Sequence, residues 1–270
     1  MRILRSLAAA GVVAAGIGLA LAAPSQAAGT SQVSILHGVP GLAVDVYANG
    51  TKLLTDFTPG TLTDPVALPE GTYDIKVFPT GKGPGGTPAI EAKGVTVPSG
   101  ANLTIVAHLT ADGKPVLTPY VNDVSQLKAG QARLVVRHDA AAPAVDVRAD
   151  GTPVFKGLTN PNQAKADLPA GTETADVVLA GTSTVVIGPG DLNLAEGTST
   201  IVYAWGSAQD KNLKLAVQTI GGMHGNPGGV PSGTGGLVDD TMPLPLLALT
   251  LLALGGALVA GRRVVLVRRR

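Results

Sequence analysis

The chain has 270 residues, of which 36 are glycine, 20 proline and none cysteine, and only 3% are aromatic. Without cysteine there are no disulfides, no thiol catalysis, no cysteine-ligated zinc and no lipid-modified N-terminal cysteine. The net charge of +1 conceals an asymmetry: Arg2, Arg5, Arg262, Arg263 and Arg268 to Arg270 crowd the two ends, while all 19 acidic residues lie between them. A mildly acidic middle lacks the basic face that nucleic-acid binding needs, so no nucleic-acid partner is expected.

Residues 1–27 have the form of a secretory signal. Arg2 and Arg5 precede an apolar run over residues 7–23, and Pro24-Ser25-Gln26-Ala27 places small residues before a cut after Ala27. The hydrophobic share of 45% is enough for real cores beyond this segment. Abundant glycine and proline suit short strands and tight turns better than long helices.

The middle of the chain is a duplication. His37 to Thr51 lies on His138 to Thr152 without a gap, sharing Ala-Val-Asp-Val and an Asn/Asp-Gly-Thr turn. Leu68-Pro69-Glu70-Gly71-Thr72 then matches Leu168-Pro169-Ala170-Gly171-Thr172, and Thr104-Ile105-Val106 is set against Thr200-Ile201-Val202. On that alignment Ala204 is the counterpart of His108. The copies span residues 28–123 and 132–220, joined by a short polar connector over 124–131.

Each copy reads as strands. Asn49-Gly50 and Asp150-Gly151 are two-residue hairpin turns, because both turn positions need positive φ. Tyr73, Ile75 and Val77 alternate with Asp74 and Lys76, and residues 103–109 and 201–205 read as strands buried more fully. Roughly six to eight strands per copy predict an all-β fold: two tandem antiparallel β-sandwiches, immunoglobulin-like or transthyretin-like.

These motifs resemble the bacterial domain-of-unknown-function family 4397. The shared pattern is a strand ending in His, a short Pro/Ala loop, Ala-Val-Asp-Val, the hairpin turn, then Leu-Pro-x-Gly-Thr. The resemblance covers 33–123 and 132–220 and implies exported, surface-associated β-domains with no known activity or catalytic residues. Gly38-Val39-Pro40-Gly41-Leu42 in the first copy departs from the family loop of Ala, Ser, Pro and Asp.

His37 with Asp45, and His138 with Asp146, are the candidate site residues because both copies keep them. One reading is a repeated polar or metal-binding site. The other is structural: each His bonds backbone in the loop that follows, and each Asp ties a strand or turn. A metal needs three or four ligands and no other His recurs, which favours structure. Gly81, Gly83 and Gly86 spell Gly-x-Gly-x-x-Gly, but Pro84 interrupts it and Pro88 follows, so it reads as a loop, not a dinucleotide site. Tyr203 and Trp205 alternate on one strand with Ile201; they suit a core or, alternatively, a sugar-stacking face. No catalytic constellation can be assembled, and neither enzymatic activity nor a cofactor is expected.

Residues 221–241 read as a Gly/Pro-rich stalk. Residues 242–261 are uncharged and, at the helical rise, span about 30 Å, the hydrocarbon thickness of a bilayer. Arg262 and Arg263 follow, which predicts a single-pass helix with residues 262–270 in the cytoplasm and 28–241 outside. Val230-Pro231-Ser232-Gly233-Thr234-Gly235 is similar to a Leu-Pro-x-Thr-Gly sorting motif, so wall attachment is the alternative to a membrane anchor. Together these features predict a cell-membrane surface protein that displays two modules for non-enzymatic binding of an extracellular protein or envelope polymer. A purely structural envelope spacer is the alternative.

Overall fold

The computed structural model describes residues 29–224, which form sixteen β-strands and, within that span, no helix. The first copy contributes β1 Thr30–His37, β2 Val44–Ala48, β3 Thr51–Phe57, β4 Val66–Pro69, β5 Gly71–Pro79, β6 Ile90–Val97, β7 Asn102–Leu109 and β8 Pro115–Val121. The second contributes β9 Gln131–Ala141, β10 Val145–Ala149, β11 Thr152–Leu158, β12 Gln163–Pro169, β13 Gly171–Leu179, β14 Val185–Leu194, β15 Ser199–Ser207 and β16 Lys214–Ile220. The signal segment at 1–27, the stalk beyond 224, the apolar run at 242–261 and the basic tail lie outside the described residues. Among the described residues no helix is long and apolar enough to cross a membrane.

The turn chemistry places the hairpins. Asn49 and Gly50 sit at φ 48° and 82°, Asp150 and Gly151 at 47° and 74°. These are the paired positive values a two-residue hairpin matched to strand twist requires. In the first copy a sheet ordered β4-β1-β7-β8 faces one ordered β3-β2-β5-β6. The second copy repeats this as β12-β9-β15-β16 facing β11-β10-β13-β14.

Two expectations need correction. The sandwiches are not wholly antiparallel, because β1 runs parallel to β7 and β9 parallel to β15. The order is also not that of an immunoglobulin domain, where the first and second strands share a sheet; here they lie in opposite sheets. The Gly81 to Gly86 segment is the loop between β5 and β6, with no helix behind it.

Each sandwich has its own core. Val33, Val46, Ile75, Val77, Val97, Leu103 and Ile105 pack in the first; Leu134, Val136, Val147, Val177, Leu194 and Val202 pack in the second. A third apolar cluster joins the copies: Leu36, Val106 and Tyr120 from the first against Val135, Ile201 and Tyr203 from the second. The sheets that contain β1 and β9 therefore meet through their outer faces. That explains why β15 is buried at every residue, Ser199 to Ser207. One side of it lines its own sandwich and the other lines the junction.

The parallel register shifts the duplication by one residue late in each copy. His37 pairs with Ala107, and His138 with Ala204. Ala107 is thus the counterpart of Ala204, and His108 corresponds to Trp205. Aligning Thr-Ile-Val on Thr-Ile-Val is one residue out of step, and in a strand one residue exchanges the two faces.

The connector is not simply polar. Leu127 is buried, its amide donates to the Met223 carbonyl at 2.8 Å, and it bridges to His224. Met223 is buried as well, and its amide donates to the Gly197 carbonyl at 3.0 Å. Residues 221–224, expected to open the stalk, instead finish the folded body.

Trp205 is seated where glycine makes room. A Cβ on Gly60 would lie 2.9 Å from Trp205 Cζ2, and one on Gly38 would lie 3.2 Å from Trp205 Cβ. Gly50 offers a control, since it shares positive φ with Gly60 but a Cβ there meets nothing within 4 Å. Gly50→Ala should cost about 1–2 kcal/mol of left-handed strain. Gly60→Ala should cost a further 1–3 kcal/mol, roughly, for overpacking against the indole. Urea midpoints of the full chain and both variants measure the difference; equal losses would contradict the seating of Trp205.

Candidate functional site

The repeated His and Asp residues do the same work twice. His37 Nε2 lies 3.1 Å from the Leu42 carbonyl and His138 Nε2 lies 3.0 Å from the Pro143 carbonyl, so each ring spans the loop after its own strand. The Val39 amide also donates to His37 Nδ1 at 3.4 Å. Burial pulls His37 below its ordinary range, against the opposing effect of the Leu42 bond. With Nε2 facing a carbonyl and Nδ1 facing an amide, neutral imidazole is the form that fits at His37.

Each Asp faces an irregularity in the neighbouring strand. The pairing of β2 with β3 shifts between Val44 and Val46, and that of β10 with β11 between Val145 and Val147. Asp45 Oδ1 accepts the amide of Asp56 at 3.1 Å; Asp146 Oδ1 accepts that of Gly157 at 2.7 Å. Asp56 and Gly157 are the extra residues, at φ 51° and 63°. A bulge leaves an amide without a ladder partner, and the carboxylate supplies one. Asp45 Oδ2 accepts from Lys52 Nζ at 2.9 Å, and Asp146 Oδ2 from the Gly181 amide at 2.9 Å. No hydrogen bond joins His37 to Asp45 or His138 to Asp146. Among the described residues no three His, Asp or Glu side chains gather as a metal site.

The larger polar constellation lies at the junction of the copies, and none of its charged members was anticipated. Arg137 is 1% exposed. Its Nε donates to Gln163 Oε1 at 2.9 Å, Nη1 to the Tyr203 hydroxyl at 2.8 Å and Nη2 to Asn122 Oδ1 at 2.8 Å. The guanidinium lies 4.3 Å from the Tyr120 ring centroid and 5.2 Å from that of Tyr203. Around it, Thr104 and the Tyr203 hydroxyl both donate to Gln218 Oε1, and Gln218 Nε2 donates to Ser34. Arg133 bonds Asp167 through Nε and Nη2 and reaches Asp123 at 2.9 Å, so the end of the first copy is held on β9.

Asp139 sits at the edge of this network. Burial pushes its carboxyl above the ordinary range, against the opposing effects of His108, Tyr120 and Arg137. The Tyr120 hydroxyl is 2.6 Å from Asp139 Oδ1 and 2.8 Å from the Pro161 carbonyl. One phenolic hydrogen cannot serve both acceptors. A protonated Asp139 resolves this by donating to the phenol oxygen, and it leaves Oδ2, which has no partner, uncharged.

Tyr203 and Trp205 are 0% and 4% exposed, which closes the sugar-stacking reading and places both rings in the junction. The signal for the network was present in β9. Arg133, Arg137 and Asp139 stand in a strand otherwise rich in Ala, Leu and Val, at even spacing that puts all three on one face.

Residues 31–148 match the family described as a domain of unknown function, DUF4397. This segment is similar to that family, over less than half of the chain. The match ends at Arg148, inside the second sandwich, so the kinship of the second copy rests on its likeness to the first. No curated protein matches the sequence significantly. Among solved structures, the Bacillus anthracis TIE protein is similar at 16% identity and a TM-score of 0.20, over 65% of this chain and 33% of that one. The chain thus spans about a third of that protein. A protein named for cell adhesion from Bacteroides ovatus is similar at 12% identity and a TM-score of 0.15, over 72% of this chain and 97% of that one. Neither likeness, at such scores, extends to function.

Two expectations test the geometry. Arg137→Lys keeps the charge but cannot make three directed bonds in one plane. It should lower stability by about 2–4 kcal/mol, seen as a fall in the urea midpoint of the full chain. Backbone donors from Gly181 and Gly157 hold the Asp146 carboxyl below the usual carboxylate range. Its stabilisation is therefore complete above about pH 4 and is lost as pH falls through the lowered value. Thermal unfolding at pH 7 and pH 3 should show a smaller acid loss in Asp146→Asn than in the parent.

Proposed function

We propose that the chain is an exported, membrane-anchored surface protein whose two sandwiches act as one rigid, non-enzymatic module for binding a protein or envelope polymer. The observation that carries this reading is the junction: a buried arginine network and Trp205 fuse the copies into a single body of four sheets. Two domains joined only by a connector reorient freely; two that share a core keep their loops at fixed spacing. The reading also draws on the apolar runs at 7–23 and 242–261 with their flanking arginines. Of the two sandwich kinds expected, the strand order excludes the immunoglobulin one, which leaves the transthyretin-like assignment as our reading.

The spacer reading has an observation of its own. The exposed large hydrophobic residues include Leu42, Val66 and Val121 in the first copy and Val185, Leu215 and Val217 in the second, and no aromatic residue is among them. Val121 and Val217 belong to the matching edge strands β8 and β16 but at different positions. A duplicated binding face would repeat the same residues.

The full chain immobilised on beads and exposed to envelope extract distinguishes the two. Retention of a specific protein or glycan supports binding, whereas retention of none sinks it in favour of the spacer. Release of the native chain from cells by detergent, without wall digestion, is the expected fractionation result and excludes sortase attachment.

A further inference from the structure

The two cores are built alike but not filled alike. Between the sheets of the first sandwich only about 30 Å³ is left open, whereas the second holds a cavity of about 160 Å³. The register of the repeat shows why. Ile75 of the first core is replaced by Ala175, Phe57 by Leu158, Ile105 by Val202 and Tyr73 by Glu173, and all four replacements line the larger cavity. Leu134 for Val33, Leu192 for Val95 and Leu194 for Val97 return only a methylene each. Phe155 stands where the first copy has Leu54, but it is not part of the cavity wall.

The cavity also has a way in. In the first sandwich the edge strands β6 and β8 lie against each other; β14 and β16 of the second do not close in the same way. Leu215 and Val217 on β16 line the cavity while remaining 43% and 52% exposed. The opening thus runs along the β14 and β16 edge, and its lip is apolar.

We propose that the second sandwich is a binding site for a small uncharged hydrophobic molecule, about the size of one substituted aromatic ring. An apolar cavity of about 150 Å³ is large enough for benzene or xenon and stays dry when empty. Unfilled, such a space leaves its apolar lining without partner atoms, so filling it is favourable. The rim decides the charge of the ligand. Arg148 is occupied by Asp176 at 2.5 Å, which leaves Glu173 and Asp191 as the other charged groups at the wall. Two carboxylates beside a low-dielectric cavity repel an anion, so fatty carboxylates of equal length are excluded. This inference does not depend on membrane anchoring or on a macromolecular partner.

Methyl NMR of the full chain tests it, with toluene and octanoate as probes. Toluene should shift the methyl signals of Val147, Val177, Leu194 and Val202 saturably and leave those of Val46 and Val77 in the first core unmoved. Octanoate should bind at least ten-fold more weakly. Ala175→Ile, which restores the residue of the first core, should weaken toluene binding at least ten-fold and raise the melting temperature. Val202→Ile provides a second, milder filling variant should Ala175→Ile fold poorly. No saturable shift with toluene, unchanged toluene binding in both filling variants, or octanoate binding as tight as toluene would each overturn the proposal.

Discussion

Arg137 carries a full charge in the middle of four stacked sheets, and no carboxylate is bonded to it. Taking such an ion out of water costs several kcal/mol, which is recovered only when its donors are met and its faces are covered. Here the two neutral amides of Asn122 and Gln163, one phenol and two aromatic rings do so, and they come from both copies. Two of the partners, Asn122 and Tyr120, belong to the first sandwich, so β9 cannot satisfy its own arginine without its neighbour. The junction is thus a condition of the second sandwich's stability as well as a contact between finished domains.

The same requirement explains how the copies have diverged. At equivalent places on the joined sheets, Leu36 stands against Arg137, Val106 against Tyr203, and His108 against Trp205. Where the second copy carries a large or charged side chain, the first carries a smaller one, down to Gly38 and Gly60 under the indole. Features outside the junction and the cavity recur in both copies: the hairpin turns, the loop-spanning histidines and the bulge-facing aspartates. Those shared residues serve the geometry of a single sandwich. The divergent ones serve the relation between two, or open the second core.

Local geometry was legible in the sequence, because it depends on residues close together in the chain. Asn-Gly and Asp-Gly fix their turns through positive φ, and a histidine reaching a carbonyl five residues on needs only its own loop. The partnership of sheets was not legible. A strand buried on both faces, such as β15, loses the alternation that reveals which side is in. For that reason the Thr-Ile-Val identity looked like equivalence, although pairing with the first strand sets the equivalence one residue away. The side chains most informative about the junction, Arg133, Arg137 and Asp139, look like surface charges until their sheet is known to have no surface. The cavity was hidden for a related reason: Ala175 signifies space only once Ile75 is known to occupy the same position in the first copy.

The unequal halves of the junction also fix a stoichiometry. The two joined sheets occupy the same place in their respective sandwiches, so a pairing of two first copies, or of two second copies, from different chains is topologically available. Two second copies would bring Arg137 towards Arg137 and Trp205 towards Trp205, with neither Asn122 nor the glycine seat to receive them. Two first copies would leave Asn122 Oδ1 without the Arg137 donor and Thr104 without Gln218 to accept from it. Only first with second completes the set, and that pair is already present in each chain, a few connector residues away. Within one chain, each copy's joined face is therefore already closed by the other copy.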